Sequence, residues 1–356
     1  MQTIHHINSV AKRMPNQEGL IINSKGDFKS VNEMVYESMD KSEPIYKEDP
    51  YKEVTFDQMM DEMIRRREAR REIEGIPDSI EIEIKSDTPI VIGLFGDQHM
   101  AGKEVDYEML RRDVHFIAEN PKCYTILGGD VVDGAAFNPA QDDKIASFTE
   151  ETTMALKMFD MLGKGSILAA LQGDHDMWSE KSGPTLYNSF RERYETPLMR
   201  GSSVIMLKVG DVVYRIVCAH QLPGNSMYND SHPENRESKF GRQGADVYAG
   251  FHNHKKALSQ QSVSIAGEGS KMQTFVAGGP YKLTDSYSAK KGYGKKDQSN
   301  ESTVGAVWLV LHPYRKEVEA FWSLESARER IEPYLTGKLK SKKPTAVSDI
   351  IKEIAK

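Results

Sequence analysis

Three times between residues 90 and 176, a short apolar run ends in Gly-Asp with more carboxylates or a histidine behind it. The stretches are Gly96-Asp97-Gln98-His99, Gly129-Asp130-Val131-Val132-Asp133 and Gly173-Asp174-His175-Asp176. Each preceding run (89–95, 123–127, 167–172) has the length and apolar content of a buried strand, while the stretches 107–119 and 149–162 between them read as helices. A chain that alternates strand and helix builds a sheet whose C-terminal strand ends form one rim, which is where open α/β sheets place their ligands. Two later strand-like runs also end in histidine, at Cys218-Ala219-His220 and at Gly250-Phe251-His252-Asn253-His254.

The rest of the chain sets the frame for this pattern. With 356 residues and 38% hydrophobic content there is enough for one large domain with additions. Cys123 and Cys218, the two cysteines, each sit inside an apolar run, so they read as buried reduced thiols, and any metal must be held by histidine and carboxylate. A net charge of −6 excludes a surface that is basic throughout and leaves room for a local basic patch. No window has the roughly 18 consecutive apolar residues of a spanning helix, and none near the start has signal-peptide length, so the expectation is a cytoplasmic protein without membrane contact.

Residues 1–50 are polar and poor in large aliphatics, and read as an extension that could bind a partner protein. Residues 51–87 hold a helix over 55–74, whose mixed Arg and Glu suggest a solvated, ion-paired face, and then a strand over 79–85. A domain over 88–326 carries the Gly-Asp stretches and, in its second half, strands at 204–209, 212–218, 247–251, 274–277, 307–311 and 318–322. Residues 327–356 read as a basic tail with a short helix near 347–354. The fold class is α/β, with α+β character in the second half.

Taken in order, GDQH, GDVVD, GDHD, a strand-terminal His and an HxH resemble the signature of the calcineurin-like metallophosphoesterase superfamily, over about residues 88–256. The resemblance implies two mixed β-sheets packed as a sandwich flanked by helices, with a binuclear metal site at the strand C-terminal ends. Carried over by position, Asp97, His99 and His254 resemble ligands of one ion, Asp130 the bridging carboxylate, and Asp174, His220 and His252 the ligands of the second. His175 resembles the imidazole that faces the leaving group, and Asp133 the carboxylate that orients it. Hard or borderline divalent ions with open positions suit carboxylate and imidazole, and phosphate-ester hydrolysis suits two ions about 3.5–4 Å apart that generate hydroxide near neutral pH. Manganese is the expected metal, with iron and zinc as alternatives.

Two positions depart from the superfamily pattern. Asp174 stands where asparagine is usual, which brings the inner shell close to neutral and should weaken the pull on a dianionic monoester more than on a monoanionic diester. Phe251 is inserted between glycine and the HxH pair. The protein phosphatase branch is disfavoured, since Met100 and Gly134-Ala135 replace its motif extensions. The expected activity is therefore a phosphodiesterase or nuclease acting on DNA, RNA or a nucleotide diester. The alternatives are a phosphomonoesterase for a nucleotide, small phosphate or phosphoprotein, and a non-catalytic scaffold on the same fold. A lysine-rich segment with an interleaved tyrosine, Lys290, Lys291, Tyr293, Lys295 and Lys296, is the candidate substrate contact, and a homo-oligomer is compatible with the chain.

Overall fold

The computed structural model describes residues 55–74, 78–134, 144–179, 193–265, 269–282 and 303–341, together with Leu186 and the backbone of two short strands near the N-terminus. It divides into two compact units, Met1–Gly75 and Ile76–Lys356. In the first, β1 (Leu20–Ile22) pairs antiparallel with β2 (Phe28–Ser30), and α1 (Phe56–Glu74) is a helix with a solvated face. Glu62 in α1 accepts from Arg65 and Arg66, both at 2.7 Å, and these guanidiniums draw its carboxyl down to about 2. This is the ion-paired face expected from the i, i+3 and i, i+4 spacing.

The second unit is a sandwich of two mixed six-stranded sheets with helices against them. Its elements are β3 (Ser79–Ile84), β4 (Ile90–Phe95), α2 (Tyr107–Glu119), β5 (Cys123–Leu127), α3 (Phe148–Leu162), β6 (Ile167–Leu171), α4 (Asp174–Ser179), β7 (Leu198–Met199), β8 (Ser203–Val209), β9 (Val212–Ala219), α5 (His232–Phe240), β10 (Val247–Gly250), β11 (Ala257–Ile265), β12 (Gly269–Ala277), β13 (Val307–Leu311), β14 (Val318–Phe321) and α6 (Leu324–Leu335). One sheet runs β14-β13-β4-β5-β6-β7 and the other β11-β12-β10-β9-β8-β3. Parallel pairing of β4 with β5 and β5 with β6 aligns the three Gly-Asp turns at one end, and parallel pairing of β9 with β10 does the same for the two histidine turns.

Period-2 alternation assigns each strand two faces. From β4, Ile90, Ile92 and Leu94 enter the core between the sheets and meet Leu207, Tyr214, Ile216 and Val247. Val91 and Phe95 point the other way, into a second core under the helices with Leu110, Val114, Phe159 and Trp308. Helix ends follow local chemistry: Asp106 caps α2 by accepting from Met109 N, and Ser147 with Glu150 forms a capping box on α3. Cys123 and Cys218 are both free and buried, and burial pushes each thiol up to about 12.

Two expected boundaries move. The strand in 51–87 is an integral strand of the sandwich, paired parallel with β8 from Ser79↔Val204 to Ile84↔Val209, so this domain begins before residue 88. At the other end, α6 crosses the proposed start of the tail, because Leu324, Ala327 and Ile331 recur at helical spacing and bury against β13. The helix expected near 347–354 lies outside the described residues, and no described helix is long and apolar enough to cross a membrane.

Candidate metal centre

The Gly-Asp turns at Asp97 and Asp130 and the His-x-His turn leave their strands through left-handed backbone steps, while Asp174 opens α4 directly. Among the described residues seven non-glycines have positive φ, and five are Asp97 (48°), His99 (43°), Asp130 (51°), His252 (67°) and His254 (50°). Such conformations cost about 1–3 kcal/mol each and persist where the surroundings over-determine them. Here they do: Asp97 N donates to Gly129 O (3.1 Å), His99 N to Asp130 O (2.9 Å), and Tyr281 N to Asp97 O (3.2 Å). The strained steps turn the side chains inward, so that Asp97, Asp130 and His99 are buried at the sheet ends.

Six of the expected ligands form two clusters, Asp97/His99/His254 and Asp130/His220/His252, in each of which one donor atom per residue lies within 4.8 Å of the others. Asp130 stands between them: its Oδ2 is 3.3 Å from His220 Nε2 and 3.8 Å from His99 Nε2. Asp174, half exposed at the start of α4, has Oδ2 3.7 Å from His252 Nδ1. The outer ring nitrogens are tied. His99 Nδ1 donates to Asp133 Oδ1 (3.0 Å) and His220 Nδ1 to Gly128 O (2.8 Å), which leaves Nε2 of both rings facing Asp130.

The charges follow from burial and neighbours. Burial lifts the Asp97 carboxyl to about 7, with Asp130 adding to the rise. At Asp130 burial also pushes upward, but His220, His175 and His99 outweigh it and hold the carboxyl well below its ordinary range. His220 shows the converse, carried up to about 10 by Asp130 and Asp97 against the effect of burial. His99 is pushed well below its ordinary value by burial and then by Lys282, and so stays neutral. Without ions, then, the Asp130–His220 pair is ionic. Neutral imidazoles and closely placed carboxyls are a donor set suited to divalent cations, whose binding would displace the remaining protons.

His175 lies beside these clusters, its ring edge-on to His99 at 4.5 Å. The sequence pairs it with the Asp133 carboxylate, but the structure pairs it with the Asp133 backbone carbonyl, to which Nδ1 donates at 2.7 Å. The Asp133 carboxylate is 3.9 Å from that nitrogen and serves His99 and Lys282 instead, with Lys282 Nζ donating at 2.9 Å. The His175 backbone N–H donates to Asp130 Oδ1 at 2.8 Å.

Three residues to which the sequence motifs assign no role hold the site. Lys282 is buried and is the counter-charge of Asp133. Asp176 accepts from Asp130 N (2.7 Å), Val131 N (3.0 Å) and Gly173 N (3.0 Å), clamping two of the Gly-Asp turns together. Phe251, the inserted residue, lies under the turns: a Cβ on Gly96, Gly128 or Gly278 would stand 2.4, 2.4 or 2.2 Å from its ring. Gly96 directly before Asp97, and the Gly128-Gly129 and Gly278-Gly279 pairs, were the available signal for this close packing. Lys290, Lys291, Tyr293, Lys295 and Lys296 lie outside the described residues.

Comparison with known proteins gives the following. No sequence-family profile and no curated protein sequence matches the chain. It is similar to the solved structure of vacuolar protein sorting 29 from Cryptosporidium parvum, at 14% identity and a TM-score of 0.36, over 66% of this chain and 98% of that one. The zinc complex of the corresponding Entamoeba histolytica protein follows at 12% and 0.31, over 65% and 97%. A metallophosphoesterase from Sphaerobacter thermophilus stands at 11% and 0.33, over 69% and 94%.

Proposed function

We propose that the chain is a metal-dependent phosphoester hydrolase acting on phosphodiesters. The observation that carries this reading is the pair of imidazole–carboxylate clusters with Asp130 set between them. Asp97, His99 and His254 would hold one divalent ion, His220, His252 and Asp174 a second, with Asp130 offering an oxygen to both; manganese is the proposed metal. Such ions supply Lewis acidity toward a phosphoryl oxygen and lower the pKa of water.

The chain's own residues do the rest. His175, with its proton fixed on Nδ1 by the Asp133 carbonyl, presents Nε2 to a leaving-group oxygen, and when doubly protonated it can donate there. Asp133 and Lys282 fix the tautomer of His99, and Asp176 keeps Asp130 and His175 in register. Asp174 adds a negative charge that disfavours a dianionic substrate relative to a monoanionic one, which supports the diester reading.

The test is a manganese-supplemented panel of bis-(p-nitrophenyl) phosphate, p-nitrophenyl phosphate, and single- and double-stranded DNA, with Asp130→Asn as control. Turnover of diesters above the monoester, lost in the control, is the expected result. A diester-to-monoester ratio left unchanged by Asp174→Asn would remove the charge argument, and no turnover of any substrate would leave a scaffold.

A further inference from the structure

The two most exposed large apolar side chains of the described residues are neighbours: Met227 is 92% and Tyr228 96% exposed. They sit in the segment that leaves His220 and enters α5. That segment is pinned at both ends. Leu222 is buried at its start, and Ser231 at its end bonds Ser259 of β11 (3.0 Å). Asp230 pairs with Lys255, the residue after His254, at 2.6 Å, so the tip is tied to the chain beside one ligand while it springs from another. Tyr228 is two residues from that tie and its backbone N–H donates to Ser226 Oγ (3.1 Å). Arg236 of α5 runs back along the same loop, where a Cβ on Gly224 would stand 3.1 Å from its Cδ; it has no ion-pair partner among the described residues.

A single exposed apolar residue needs no explanation, but a Tyr and a Met held in water on an anchored loop between two ligand histidines have a chemical use. An aromatic face with two rotatable angles stacks an unpaired base at small entropic cost, and an unpaired guanidinium takes a phosphate. We propose that this loop is a subsite for single-stranded nucleic acid: Tyr228, flanked by Met227, stacks the base next to the scissile phosphate, and Arg236 holds a neighbouring phosphate. The proposal rests on the diesterase reading for its scissile bond, while base stacking itself can be measured without turnover.

The experiment compares binding of a phosphorothioate-linked tetrathymidylate with that of an abasic strand of equal phosphate count, by titration of manganese-loaded wild type, Tyr228→Ala, Tyr228→Phe and Arg236→Ala. The wild type should prefer the base-bearing strand. Tyr228→Ala should reduce that preference about 5- to 150-fold and Tyr228→Phe should keep it. Arg236→Ala should weaken both strands and flatten the salt dependence. In parallel, thymidine 5′-(p-nitrophenyl phosphate) and methyl p-nitrophenyl phosphate, diesters of one leaving group, are assayed for turnover. Failure of both to turn over overturns the hydrolase reading and leaves the binding ratio to decide the subsite. A preference equal in wild type and Tyr228→Ala overturns the subsite, and is the result expected if the tip is instead a protein contact.

Discussion

Asp133 and Lys282 meet across 149 residues of sequence in a place with almost no water, and the pair shows what a buried charge does for a site. The lysine holds the carboxylate, the carboxylate holds the Nδ1 proton of His99, and His99 is left with one lone pair in one direction. Asparagine at 133 would keep the shape and lose the charge. Asp133→Asn should weaken ion binding at the Asp97/His99/His254 cluster about 10- to 100-fold by calorimetric titration. It should also cost about 3–5 kcal/mol of stability, since the buried Lys282 loses the Asp133 carboxylate, and Lys282→Met in the same background should return part of that in urea unfolding. A second buried group is governed by the same physics with the opposite outcome. Glu234 in α5 is pushed up to about 8 by burial, and its Oε2 has no hydrogen-bond partner among the described residues. Its folded value is above its unfolded value, so between about pH 4.5 and pH 8 the folded protein binds more protons and stability falls as pH rises. Glu234→Gln should flatten that fall, on the order of 3 kcal/mol between pH 5 and pH 8, in parallel unfolding curves.

Among the elements, the strand-end turns carry the site, and they are packed on Phe251. Gly128→Ala would drive a methyl group into that ring and should cost about 1–3 kcal/mol. In a double-mutant cycle Phe251→Leu should recover part of the loss, giving a coupling between positions that are far apart in the chain. The strands and the Asp and His clusters at their ends were legible in sequence because a buried strand is a short apolar run and the Gly-Asp and His turns follow directly where it ends; 107–119, 123–127 and 307–311 match their elements residue for residue. Polar elements were not. The helix α5 reads HPENRESKF and β11 reads ALSQQSVSI, neither of which carries the period of its structure. In α6, Pro333 and the lysines beyond it disguised a helix whose buried face has only three residues. Lys282 was illegible as a site residue for a different reason, since its partner Asp133 is 149 residues away, brought to it by the fold, and no local pattern encodes that.

For the molecule as a whole, two sheets that share few covalent links meet at the ligand cluster. Asp97, His99 and Asp130 come from the sheet of β4 and β5, and His220, His252 and His254 from the sheet of β9 and β10. An ion bound across them should therefore act as a clamp on the sandwich. Chelator-treated protein given manganese at about a hundredfold its dissociation constant should gain about 2.7 kcal/mol per ion in unfolding free energy, and Asp130→Asn should lose most of that gain. The packing beneath the cluster also carries a historical record. Because Phe251 occupies the space that side chains on Gly96, Gly128 and Gly278 would need, none of the three glycines can change while the phenylalanine stands. In related chains a smaller residue at 251 should be the condition under which any of the three glycines is replaced, so that the inserted phenylalanine and the glycines are inherited as a set.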